Sequence, residues 1–281
     1  MNIVVTLNSH YINPLCVMLR SLLDAHPQQR ISVYVIHTEL TEHDFAFVRD
    51  TLGSSRLLLH SIRVASDFLA DWPVTFHFSK EMYYRIFSAK LLPPDVSRAL
   101  YLDPDMVILS SLDELYYMDM GDAFFAAARS INQVSEALFK KRLHMSRETH
   151  YFNSGVLLMN LDLLRHEQDE QDVYAFIERN LKKLVLPDQD ILNALYADRT
   201  IFLDPIRYNF DVRYYPALHA LSLGKISIET IPESTCIVHY CGKHKPWHED
   251  YRGECGVFYT TAHEKVFPEN CSFSYSIRPL E

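Results

Sequence analysis

Two carboxylates separated by one residue sit within the apolar run RALYLDPDMVIL, residues 98–109. In an extended chain, side chains at i and i+2 point the same way, so Asp103 and Asp105 can grip one cation together. Pro104 between them has a fixed φ and biases Asp103 towards an extended backbone. It also lacks the N–H that regular strand pairing needs, so pairing should loosen here and open a site. A cation held this way can in turn hold phosphates. A turn whose two Asp residues face solvent is the plainer reading, and the motif alone does not choose between them.

A cation and a diphosphate together want a third ligand, a positive charge and polar groups nearby. Val238-His239-Tyr240-Cys241-Gly242 follows an apolar stretch, which puts His239 near a strand end. Gly242 lets backbone approach a phosphate closely, and Lys245 and His248 follow within HKPWH. An imidazole joined to two carboxylates shifts the preferred ion from Mg²⁺ towards Mn²⁺. His244 is read as an ordinary surface histidine, and the spacing of the three histidines fits no familiar zinc pattern. A rival for the Asp pair is a haloacid dehalogenase-type phosphatase, with the first Asp as nucleophile. That chemistry expects the motif on the first strand and a downstream Gly-Asp-x-x-x-Asp site. Here a long segment precedes the motif, and four residues after Asp122 stands Ala126.

The elements that must position these residues alternate. Residues 3–7, 31–37, 57–62 and 99–103 read as strands. A helix is expected to open at Asn13 with Pro14 in its first position. A second opens at the Thr41/Asp44 capping box, and a third covers about 79–90. This rhythm predicts an α/β fold, a mixed but mainly parallel sheet flanked by helices, with ligands beyond the carboxyl ends of the strands. Asp103 and the Asn8–Tyr11 segment both fall there. Further on, 156–160 reads as a strand, and 172–184 and 188–196 as helices. From about Lys243 the chain looks irregular. We therefore expect a catalytic domain over 1–245 and an irregular extension, 246–281, packed on it.

Composition sets limits on partners. Of the 281 residues, 48% are hydrophobic and 22% charged, as in a protein with a full core. A net charge of −9 argues against a nucleic-acid partner. No apolar run reaches membrane-spanning length, and MNIVVTLNSH reads as a strand, not a signal peptide. Five cysteines without a CxxC pair suggest neither a disulfide framework nor a thiolate zinc site, so a reduced, cytoplasmic setting is expected.

YLDPDMVI (101–108), FNSGVLLMNL (152–161), DQDILNAL (188–195) and HYCGKHKPWH (239–248), in this order and spacing, resemble glycosyltransferase family 8. This family holds retaining enzymes, among them bacterial lipopolysaccharide galactosyl- and glucosyltransferases and glycogenin. The resemblance implies a glycosyltransferase A-type, Rossmann-like fold with the Asp-x-Asp at a strand end. It implies that Asp103, Asp105 and His239 bind Mn²⁺, with Mg²⁺ as the alternative, and that the ion bridges the phosphates of a UDP-sugar. Gly242 and Lys245 would contact the diphosphate, and Tyr11 would stack on uracil. Arg85, Asn153, Asp188 and Gln189 would hydrogen-bond the donor sugar. Where members usually carry an Asp to read uracil and ribose, this chain has Asn8, which can still donate and accept hydrogen bonds.

The implied reaction moves galactose or glucose to a hydroxyl acceptor, a saccharide or glycolipid, with peripheral membrane association left open. We expect same-face substitution, the UDP phosphate helping to deprotonate the acceptor, with Asp190 as a transient nucleophile the alternative. His77 is a further candidate to face the acceptor, beside a structural reading. The other class of answer is a nucleotide-sugar-binding protein without transfer, favoured only by the Asn8 segment. Plainer roles exist for single residues: a surface salt bridge for Arg85, a turn for Asn153, a helix N-cap for Asp188.

Overall fold

The computed structural model describes residues 1–65 and 81–268. Ten strands are described: β1 (Asn2–Thr6), β2 (Ile31–His37), β3 (Leu57–Arg63), β4 (Arg98–Leu102), β5 (Met106–Ile108), β6 (Phe125–Arg129), β7 (Phe152–Asn160), β8 (Thr200–Leu203), β9 (Phe210–Asp211) and β10 (Ile237–His239). Seven form a sheet in the order β3-β2-β1-β4-β7-β6-β8, and β5-β10-β9 form a second, small sheet. In the large sheet, β7 runs antiparallel to both β4 and β6, and the other pairs are parallel. The expected mixed, mainly parallel α/β fold is therefore present.

Near-continuous apolar strands are what a sheet covered on both faces requires. Successive side chains go to opposite faces. Ile3, Val5, Leu100, Leu102, Val156 and Leu158 join one core cluster. Their neighbours Val4, Ala99, Tyr101, Leu157 and Met159 join the other.

Several elements differ from expectation. The first helix is Ile12–Ala25. It follows a 3-10 turn, Ser9–Tyr11, that Asn8 caps through His10 N–H. Pro14 thus stands third in the helix, where its missing N–H would have had no partner anyway. The helix expected over 79–90 is, in its described part, Glu81–Tyr84 and Ser88–Leu91. Between them the backbone tightens into i→i+3 bonds from Ile86, Phe87 and Ser88. The helix expected over 172–184 is Glu170–Asn180, with Asp169 as its cap. The next long helix begins at Pro187, so Asp188 is its second residue and not its N-cap. Asp190, in its first turn, reaches back to accept the N–H groups of Val185 and Leu186 at 2.7 and 3.1 Å.

The region past Lys243 is not irregular throughout. Gly256–Val266 is a helix that packs on Ile12–Ala25, burying Tyr259, Ala262 and Val266 along one face.

Candidate active site

The large sheet hands the chain to the small one at Asp103-Pro104-Asp105. Pairing of β4 with β7 continues one residue past Leu102, through Asp103 N–H to Gly155 O at 2.9 Å. The chain then bends, and Asp105 O receives Tyr240 N–H at 3.0 Å as β5 meets β10. The two carboxylates therefore converge across a bend between sheets, where an extended strand was expected. His239, at the end of β10, completes the group. Its Nε2 lies 3.3 Å from Asp105 Oδ1 and 3.6 Å from Asp103 Oδ2.

One ligand atom from each of these residues lies within 4.8 Å of the others. Neighbouring ligands of a six-coordinate Mg²⁺- or Mn²⁺-sized ion stand about 3 Å apart, so this spacing fits. The second ring nitrogen decides the tautomer. Asn153 Oδ1 accepts from Gly155 N–H at 2.9 Å and from Asn209 Nδ2 at 2.8 Å. That turns Asn209 Oδ1 towards His239 Nδ1, 2.8 Å away, and an oxygen there can only accept. Nδ1 carries the proton, and Nε2 faces the carboxylates as a metal ligand should. Two carboxylates and an imidazole are donors for Mn²⁺ or Mg²⁺ rather than for a soft ion.

Charge around the trio is closely matched. Burial alone would raise the Asp105 carboxyl, but His239 and Lys245 hold it well below the usual carboxylate range. Burial opposes charge on His239, yet the Cys241 sulfur and Asp105 outweigh it and raise the imidazole well above its ordinary value. Lys245 Nζ binds Asp105 and the Tyr240 carbonyl. Burial lowers its pKa, Asp105 more than offsets this, and the net direction is up.

Beside the trio lies a second buried cluster. Arg85 bonds Asp103 Oδ1 and Asp188 Oδ2, both at 3.1 Å, and donates to Ser154 O at 2.9 Å. Its guanidinium lies 4.5 Å from the Tyr101 ring centroid. Tyr101 in turn donates to Asp103 Oδ1 at 2.8 Å. Ser154 gives its hydroxyl to Asp188 and its N–H to Gln189 Oε1, both at 3.1 Å. Burial raises the Asp188 carboxyl and Arg85 opposes that, with the net shift upward. Arg85 is thus a buried ion-pair hub, not a surface salt bridge.

Asp190 is placed differently from its neighbours. It is fully buried, and both oxygens are taken: Arg142 Nη2 at 2.6 Å and Tyr151 O–H at 2.8 Å on one, two backbone N–H groups on the other. It does not line the adjoining cavity of about 160 Å³, whereas Asn153, Gln189, Asn209, Arg213 and Tyr214 do.

At the other side of the trio, Tyr11 meets Trp247 edge-on with ring centroids 5.8 Å apart. Lys245 Nζ lies 5.9 Å from the Trp247 ring centroid. Asn8 spends its oxygen on His10 N–H, at 3.1 Å. Gly242 is exposed at φ +94°, a conformation that favours glycine. His244 and His248 are exposed, and His77 lies outside the described residues.

Sequence reasoning missed Tyr101, Tyr151, Ser154, Gly155, Asn209 and Trp247. Tyr101, Ser154, Gly155 and Trp247 fall inside the quoted blocks, so their signal was proximity. Tyr151 directly precedes one block, and Asn209, in an unremarkable YNFD, gave none.

Residues 2–251 match the model of glycosyl transferase family 8. A lipopolysaccharide 1,2-glucosyltransferase of Escherichia coli is 25% identical over 249 residues, 89% of this chain and 73% of its own length. General stress protein A of Bacillus subtilis is 28% identical over 264 residues, 90% of this chain and 91% of its own. The galactosyltransferase LgtC, solved in complex with donor and acceptor sugar analogs, superposes with a TM-score of 0.80 at 27% identity. That match covers 94% of this chain and 95% of LgtC.

Proposed function

This chain belongs to glycosyltransferase family 8, and from that premise we propose that it moves a hexose, galactose or glucose, from a UDP-sugar to a hydroxyl on a saccharide or glycolipid, with retention and a divalent ion. The observation that carries the reading is the joining of the Asp103, Asp105 and His239 trio to Asp188 through Arg85, beside a cavity that Asn153 and Gln189 line. A glucosyltransferase and a galactosyltransferase among the similar proteins support a hexose donor. A bound Mn²⁺, or Mg²⁺, would offset negative charge growing on the diphosphate as the glycosidic bond breaks. Lys245, held beside Asp105, adds charge at the same place. Tyr11 would stack on uracil, with Asn8, Asn153 and Gly242 along the donor. A reducing, cytoplasmic location belongs to this reading. Among the described residues no helix is long and apolar enough to cross a membrane.

For the mechanism, same-face substitution is the better fit. The alternative needs a carboxylate free to attack the anomeric carbon. Asp190 has both oxygens committed to four donors, and Gln189 is an amide. A trapped glycosyl-Asp190 adduct would overturn this choice. The test of function is UDP release from a panel of UDP-sugars with Mn²⁺ or chelator, beside Asp103→Asn. Release from one sugar, lost with chelator and in the variant, is expected. Mn²⁺-dependent UDP binding without release, even with saccharide acceptors added, would point to a binding protein instead.

A further inference from the structure

Two chains of hydrogen bonds reach the Gln189 side chain, and each fixes which way its amide points. On one side the Ser154 N–H meets Oε1 at 3.1 Å, so that atom must be the oxygen. On the other, both oxygens of Asp190 face only donors, so Tyr151 gives its O–H to Asp190 and accepts from Gln189 Nε2 at 3.0 Å. The two assignments agree. Behind them stands a rigid support. Tyr151 is 1% exposed, its backbone N–H bonds Glu136 at 3.2 Å, and its ring lies 4.9 Å from that of Phe139. Burial, aided by Asp190, holds the phenol well above its ordinary value, so it stays a hydrogen-bond donor.

We propose that Tyr151 is a positioning residue for sugar transfer: its hydroxyl locks the Gln189 amide in one orientation against the cavity. Gln189 keeps one N–H and one oxygen lone pair uncommitted to the protein bonds above. A free amide flips, and exchanges those two groups; the locked one meets every sugar with the same pattern. The proposal rests on the reading of this cavity as the sugar site. Such orientation is a property of the bound geometry, and a small loss of it is costly in rate.

Tyr151→Phe removes the hydroxyl and keeps the ring. With a UDP-sugar that the wild type turns over, kcat is expected to fall roughly tenfold to hundredfold, with the donor KM and Mn²⁺ affinity unchanged. In a Gln189→Ala background the same change should cost nothing more, because the group it positions is gone. Additive losses, a raised KM at unchanged kcat, or no effect would each overturn the proposal. The side-chain amide protons of Gln189, followed by NMR, give a readout free of turnover. They should shift and broaden in Tyr151→Phe, and an unmoved pair would reject the lock. If the wild type proves inactive on every UDP-sugar, the functional reading fails, and the NMR result still decides whether Tyr151 holds Gln189.

Discussion

A Cβ built on Gly155 would lie 2.6 Å from Asp103 Oδ2 and closer still to Cε1 of His239. The backbone of β7 must therefore be bare where it passes the trio, and alanine there would push two ligands apart. Gly155→Ala is expected to abolish Mn²⁺-dependent UDP binding by calorimetry while the chain stays folded by circular dichroism; retained binding would mean that the trio yields easily. Asn209 acts at longer range, through the ring nitrogen that does not face the carboxylates. Loss of such a partner typically costs about 10–100-fold in metal affinity, and Asn209→Ala should fall in that range in a Mn²⁺ titration. The residue scale also shows what a sequence exposes. Asp103, Asp105 and His239 announce themselves by chemistry and by their place at strand ends. Gly155 and Asn209 matter only because β7 and the turn before β9 are brought beside them, a fact of three-dimensional packing that no local spacing encodes.

Elements were legible where short-range chemistry decides them. The helix Glu42–Leu52 begins where Thr41 and Asp44 predict, with Thr41 N–H and its hydroxyl both donating to Asp44 Oδ2 at 2.8 Å. Asp44→Ala should cost about 1 kcal/mol in urea unfolding. The Thr41 backbone and hydroxyl bonds hold the Asp44 carboxyl below its ordinary value. Its contribution is therefore complete above the unfolded carboxyl pKa, near 3.9, and fades as pH falls through the lower folded value. The gap between wild type and Asp44→Ala should be constant from neutral pH down to about 5 and shrink only below about 4. A gap that changes near pH 7 would implicate another group. Elements set by tertiary packing read less well. The break after Tyr84 leaves Arg85 bonded to Asp103, Asp188 and Ser154, an arrangement its helical sequence pattern does not foretell. Helix Gly256–Val266 buries a Tyr, an Ala and a Val, too mixed a face to stand out before its partner helix is known.

At the scale of the whole molecule, the candidate metal site joins two sheets. Asp103 leaves the large sheet, and Asp105 and His239 belong to the small one, whose strands have only three, two and three residues. Strands so short carry no readable period, so of the small sheet the sequence showed only the strand end at His239; in the large sheet it showed five strands and left β6 and β8 unread. The small sheet's Met106, Val107, Ile108, Phe210, Ile237 and Val238 share one core cluster with Ile3, Val5 and Leu100, so packing joins the two sheets and a cation would add a further tie at the bend. A ligand that binds only this folded arrangement stabilises it by mass action, about 2.7 kcal/mol at 100 times its Kd. For a chain of this size that corresponds to a rise in Tm on the order of 5 °C. Thermal scans with Mn²⁺ and UDP together should show this rise. UDP with chelator should give little of it, and Asp103→Asn none. If Mn²⁺ and UDP raise Tm equally in Asp103→Asn, the ion is being held elsewhere, and the bend between the sheets is not where donor binding is coupled to the fold.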